Sequence, residues 1–242
     1  MASAPASPQL GAGSQLAAVY FSPRDAFASI LARPRFWLPL VGWTALGIGL
    51  AAVWMPRVDV REFSRNQLQQ SGRAEKMDPA QVERALDMQT RVFKPFVWTL
   101  VVLAPIVTTL VVGLALFFIF RFFYAAELTY AQSLAVVAWS FFAVALVTTP
   151  LVLLVMSLKG DWNVPPEEAV QASVAMFLDR PKTARPLYVL ASSLDLFSFW
   201  ILWLLSSGFA VASRRTTGAA AAGTVGLWTL YVLGKVAVGA AF

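Results

Sequence analysis

Two charged side chains stand inside long apolar runs of this chain, and chemistry would be sought there first. Asp195 lies in SSLDLFSFWILWLL (192–205), and Lys235 lies in the apolar C-terminal run. A carboxylate and an ammonium group are each costly alone in hydrocarbon, and a facing partner relieves much of that cost. They suit a structural ion pair or a charge relay on a transport path. Pro105, Thr108 and Thr109 in the second apolar run, Thr148, Thr149 and Pro150 in the third, and Ser198 in the fourth add polar or kinked positions. A proline inside a helix frees a backbone carbonyl, which hydroxyls or water can satisfy. Together these residues make a candidate polar cavity at the level of the two charges.

Catalytic readings find less. Glu167-Glu168 superficially resembles the paired glutamates of membrane prenyl-protein proteases, and Ser206-Ser207-Gly208 a serine elbow. Both mechanisms need a base or a metal ligand, usually histidine. The chain has no histidine and no cysteine. An aspartyl mechanism needs two carboxylates sharing a proton, and the apolar runs hold one. Asp161, Asn163 and Glu167 are oxygen-rich, but their spacing is not that of a calcium loop. No glycine-rich phosphate loop follows a strand, and no basic run is interleaved with exposed aromatics. The sequence therefore points to no enzyme, cofactor, metal or nucleic acid.

The elements that must position Asp195 and Lys235 follow from composition. The chain is 58% hydrophobic and only 13% charged, with a mean hydropathy of +0.66, whereas soluble domains carry about 25% charged residues. A hydrocarbon core about 30 Å thick needs about 20 apolar residues in a helix. Five runs qualify, at about 36–55, 95–121, 130–157, 188–212 and 218–241. Backbone groups in lipid must be satisfied internally, so these runs are helices. The expected fold is all-α: a polytopic bundle of five transmembrane helices, with amphipathic interfacial and loop helices. Residues 1–20 read as a disordered tail and 21–242 as one five-span domain. In that reading Asp195 lies about eight residues inside span four and Lys235 about seven from the end of span five. Both are then about 10–12 Å from the same surface.

The polar segments carry their own signals. SPRDAFASILARP (22–34) puts Phe27, Ile30 and Leu31 on one face and suits a short interfacial helix. MDPAQVERALDMQTRVF carries Asp78 at an N-cap position, Pro79 at the first helical residue and Gln81 three residues after the cap. Pro165-Pro166-Glu167-Glu168 opens a second amphipathic loop helix, continued by Val170, Val174, Phe177 and Leu178. Ala219-xxx-Gly223, Gly234 with Gly239, and Ala45-xxx-Gly49 allow close helix approach, within one bundle or between copies as a homo-oligomer. The net charge of +6 favours anionic lipid head groups. Charge counting leaves orientation open. The larger loops hold more bases but nearly balance them with acids, while Arg121 and Arg214-Arg215 mark tight basic turns on the other side.

SPRDAFASILARPRFWLPL at the first span, ELTYAQSLAVVAWSFF opening the third with Pro150 later in it, and LDLFSFWILWLLSSGFAVASRRTTGAA over the fourth span and its turn resemble the Yip domain family. These are the Ypt/Rab-interacting membrane proteins and their bacterial relatives. The resemblance runs from about residue 20 to the end. It implies five transmembrane helices, a cytoplasmic N-terminus and an external C-terminus, here in a bacterial inner membrane. Eukaryotic members are associated with vesicle trafficking and Rab GTPases through a cytosolic N-terminal region. The resemblance implies no catalytic residue. Two functions follow as expectations: a membrane organiser or assembly partner with an unidentified membrane protein or a second copy as partner, or a transporter, channel or lipid-handling protein using the region around Asp195 and Lys235.

Overall fold

The structure is a computed structural model that describes residues 11–70, 77–170, 172–179 and 182–241. Its helices are α1 (Ala12–Phe21), α2 (Pro23–Ala32), α3 (Trp37–Trp54), α4 (Val60–Gln70), α5 (Pro79–Phe122), α6 (Tyr130–Lys159), α7 (Pro166–Ala169), α8 (Arg185–Ser193), α9 (Leu196–Ser213) and α10 (Thr217–Ala241), with a 3-10 turn at Val174–Phe177. Helices α3, α5, α6, α9 and α10 are long and apolar enough to cross a membrane. The all-α, five-span class therefore stands.

Local chemistry sets several boundaries. Asp78 and Gln81 form a reciprocal capping box: the Gln81 amide donates to Asp78 Oδ1 at 2.8 Å, and the Asp78 amide donates to Gln81 Oε1 at 3.3 Å. The same device opens α6, between Thr129 and Gln132, and Asp59 accepts from the Arg61 and Glu62 amides to start α4. From its cap α5 runs 44 residues through Pro95 and Pro105. At about 1.5 Å per residue it is about 66 Å long, roughly twice a hydrocarbon core, so the loop helix foreseen at 79–93 is its extramembrane beginning.

Three expectations fail. The run at 188–212 is not one helix: α8 ends at Ser193, and α9 begins at Leu196. The break is held from a distance, because the Val174 amide donates to the Leu194 carbonyl at 3.1 Å, and Ser173 and Asp195 form an isolated antiparallel bridge. The second loop helix is interrupted by the same engagement, leaving one turn of α7 and the 3-10 turn in place of a continuous amphipathic helix. Residues 12–21, read as part of a disordered tail, form α1, with Val19 fully buried. Residues 1–10 of that tail lie outside the described residues.

The chain packs as two compact units. The first comprises Met1–Trp43, Ile106–Ala145 and Leu196–Gly234. Its core gathers Phe27, Ile30, Leu116, Phe120, Val136, Trp139, Leu204 and Phe209. The Phe120 and Phe209 rings stack at 4.6 Å. The predicted face of α2 is covered by protein: a Cβ on Gly208 of α9 would stand 3.2 Å from the Phe27 ring and 2.5 Å from Val136 Cγ1 of α6. Only glycine lets these three helices close to this distance. The Tyr20 hydroxyl pins α1 by donating to the Ala143 carbonyl at 2.6 Å, and burial pushes its phenol pKa up.

The second unit comprises Thr44–Pro105, Leu146–Asp195 and Lys235–Phe242. Trp54, Phe63 and Phe93 meet edge-on or tilted with centroids 5.3–5.8 Å apart. Trp54 Nε1 donates to the Trp162 carbonyl at 2.8 Å, and the Arg57 guanidinium lies 5.1 Å from the Trp162 ring. Asn163 accepts from the Asp59 amide at 2.8 Å and donates to Glu62 at 2.7 Å. On the outer surface Arg61 pairs with Glu83 and Asp87, joining α4 to α5. The hydrogen bonds that its guanidinium donates to Asp87 and then to Glu83 raise the Arg61 pKa.

Candidate functional site

Asp195 is the residue immediately before α9. This is the N-cap position, where unpaired amides and the helix dipole favour a carboxylate. The side chain is half-buried. Lys235 is exposed in α10, with its Nζ 3.4 Å from Ser193 Oγ at the end of α8. Both charges belong to the second unit. Helix α9 is 18 residues long, so it rises about 27 Å, close to a full hydrocarbon thickness. Asp195 therefore stands at the edge of a span and not about eight residues within it. Counting the same rise along α10 from Thr217 brings Lys235 to a matching level.

The seven cavity positions are divided between the units. Thr108, Thr109 and Ser198 fall in the first, and Pro105, Thr148, Thr149 and Pro150 in the second. Pro105 and Thr109 are buried, Thr108, Thr148, Thr149 and Ser198 are half-buried, and Pro150 is exposed. Among the described residues Thr109 Oγ1, a buried hydroxyl, meets no hydrogen-bond partner. A cavity of about 260 Å³ lies elsewhere, between α4 and the start of α5, lined by Phe63, Ser64, Gln67, Gln89, Phe93 and Phe96. Sequence reading had no signal for it, because α4 was only part of a charged loop.

The hydroxyls and small residues with defined partners serve helix packing. Ser206 and Thr224 share a hydrogen bond of 2.7 Å within the first unit, and Ser133 donates to the Gly113 carbonyl at 2.7 Å. Ser206 and Ser207, weighed as a serine elbow, are both buried in α9. Ala219-xxx-Gly223 is an internal contact: the Tyr124 hydroxyl donates to the Ala219 carbonyl at 2.8 Å, and a Cβ on Gly223 would stand 3.2 Å from the Phe120 ring. Gly239 approaches Val189 of α8. Among the described residues no three acidic side chains gather as a metal site.

Long apolar helices with their large hydrophobic side chains outward, among them Leu103, Val111, Leu154, Leu230 and Leu233, define a multi-pass membrane protein whose spans contact lipid. Of the five, α9 is the most enclosed, with half of its apolar window buried against about a fifth or less for the others. The family model of the Yip1 domain matches residues 17–238, and the chain belongs to the Yip1 domain family. Neither a curated protein nor a solved structure matches it.

Proposed function

We propose that this protein is a non-catalytic organiser or assembly partner in a bacterial inner membrane, with its N-terminus in the cytoplasm, and that it self-associates through helix faces its own fold leaves open. The observation that carries the reading is how its small residues divide. Gly208, Gly223 and Gly239 are taken up inside the chain, whereas a Cβ on Gly49, Gly218, Gly226 or Gly234 would meet nothing within 4 Å. Gly218, Ala222 and Gly226 recur every fourth residue on the exposed side of α10, and such faces let a second helix come close in lipid. Orientation is supported by Arg24, Arg33, Arg35, Arg121, Arg214 and Arg215 in the short segments of the first unit, opposed only by Asp25 and Glu127.

The chain lacks cysteine, so single engineered thiols report cleanly. Gly226→Cys in reconstituted vesicles is expected to crosslink to a second copy, and Gly226→Leu is expected to abolish association. A chain that stays monomeric at every protein-to-lipid ratio sinks the self-association reading. Thr216→Cys is expected to react with an impermeant maleimide only from the cytoplasmic side. A second reading, transport or lipid handling, is favoured by the broken helix at Leu194–Asp195 beside Lys235, since broken helices line substrate paths in transporters. An Asp195–Lys235 ion pair belongs to this proposal. Asp195→Asn and Lys235→Met would then abolish a measurable flux, and a wild-type chain that supports none excludes it. Exchange of the two charges restoring stability would support the pair.

A further inference from the structure

Where α5 stops and α9 turns into α10, the first unit brings positive charge, aromatic surface and a fixed backbone together. Arg121 and Phe122 close α5, and Phe123 follows. All three side chains are exposed, the two rings by 73% and 83%. Arg214 and Arg215 are exposed in the turn before α10. Tyr124 ties the two segments: its hydroxyl donates to the Ala219 carbonyl at 2.8 Å, and its own carbonyl accepts from Arg215 Nη2 at 3.2 Å. Its ring stacks on the buried Phe120 at 4.7 Å.

The backbone is costly here. Ala125 has φ 48° and Arg214 has φ 54°, a left-handed conformation that glycine adopts without steric penalty and other residues adopt reluctantly. An arginine held there points to a use for its charge. Glu127 is the one acid in the 121–129 segment. Helices α5, α9 and α10 are long and apolar enough to cross a membrane, so the C-terminal end of α5 and the turn between α9 and α10 fall at the level where phosphate groups meet acyl chains.

We infer that Arg121, Arg214 and Arg215, with Phe122 and Phe123, form a binding surface for the phosphate of an anionic phospholipid such as phosphatidylglycerol. The guanidinium groups match phosphate oxygens in charge and donor geometry. The two phenyl rings sit at the acyl boundary and hold the arginines at phosphate depth. This goes beyond the organiser reading and stands whether or not the chain self-associates.

The test uses the full chain purified in mild detergent, titrated with phosphatidylglycerol or phosphatidylcholine, with bound lipids counted by native mass spectrometry. The wild type is expected to prefer phosphatidylglycerol. Each juxtamembrane base changes binding to an anionic surface about fivefold, so Arg214→Gln with Arg215→Gln is expected to weaken phosphatidylglycerol binding about 25-fold and leave phosphatidylcholine unchanged. The triple variant Arg24→Gln, Arg33→Gln, Arg35→Gln is expected to keep the preference. Arg214→Gly separates folding from binding: it relaxes the turn, so the thermal midpoint should rise while phosphatidylglycerol binding falls about fivefold. No lipid preference in the wild type, an unchanged Arg214/Arg215 variant, or equal losses in the double and triple variants (a diffuse charge effect) would each overturn the site, as would full displacement of the lipid by inorganic phosphate.

Discussion

The sharpest consequence of the packing lies at Gly208. A methyl group there would stand 2.5 Å from Val136 Cγ1 and 3.2 Å from both Phe27 Cδ1 and Cε1, whereas carbon atoms in contact prefer about 3.5–4.0 Å. Val136 cannot swing aside readily, because a β-branched residue in a helix has one strongly preferred rotamer. Phe27 is fully buried. Alanine normally improves on glycine in a helix by about 0.8–1 kcal/mol, and overpacking costs about 1–3 kcal/mol. With three close contacts and a stiff neighbour the clash wins, and Gly208→Ala should destabilise by about 1–2 kcal/mol. Gly49→Ala, where nothing lies within 4 Å, should instead stabilise by several tenths of a kcal/mol or more. Reversible unfolding in mixed micelles at low protein concentration measures both. Val136→Ala in the Gly208→Ala background should recover part of the loss, appearing as coupling in a double-mutant cycle. If Gly208→Ala proves as stable as the wild type, or the two glycines respond alike, the close approach of α2, α6 and α9 is wrong.

Removing the Tyr20 hydroxyl with Tyr20→Phe deletes the bond to Ala143 and should cost about 0.5–1.5 kcal/mol. Burial raises this phenol pKa, so the folded chain disfavours the phenolate. The contribution of Tyr20 is complete below the ordinary phenol pKa of about 10 and is lost as pH rises through the raised value. Phe at this position should remove that alkaline loss, and an identical pH profile would refute the assignment. Asp78→Ala breaks the capping box and should cost about 1 kcal/mol, seen as faster amide exchange in the first turn of α5 but not in α9. Arg61→Met should loosen α4 from α5 in low salt, with the difference fading at high salt because the pairs to Glu83 and Asp87 are exposed; a salt-independent effect would argue against an electrostatic tie.

Periodicity and local chemistry were readable wherever the cause was local. The capping box at Asp78 and Gln81, the apolar face of Phe27, Ile30 and Leu31, and five hydrophobic stretches follow from residues a few positions apart. What escaped depends on contacts between distant segments. The run at 188–212 contains no proline, and its break at Leu194–Asp195 is held by Ser173 and Val174, about twenty residues earlier. Helix α1 has three alanines, one glycine and one serine among its ten residues, and it is anchored by Tyr20 reaching Ala143. Trp162 and Asn163, the latter weighed only as part of a cation site, tie down the Trp54–Asp59–Glu62 corner.

The carboxylate in SSLDLFSFWILWLL, which first suggested chemistry in hydrocarbon, is better understood from helix lengths. Helix α9 supplies 18 residues between Asp195 and Arg214, enough for about 27 Å, and so places charge at both ends of the span and none within it. An acid before the first turn and bases after the last are the arrangement that the helix dipole favours, and both ends reach the polar boundary where a charge is least costly. Along α10 the stretch from Thr217 to Gly234 is uncharged and ends at Lys235 by the same count. The two helices thus need no buried charge to be stable. Any transport role for Asp195 and Lys235 would be exercised where α9 begins and α8 ends, the point at which Lys235 Nζ lies 3.4 Å from Ser193 Oγ.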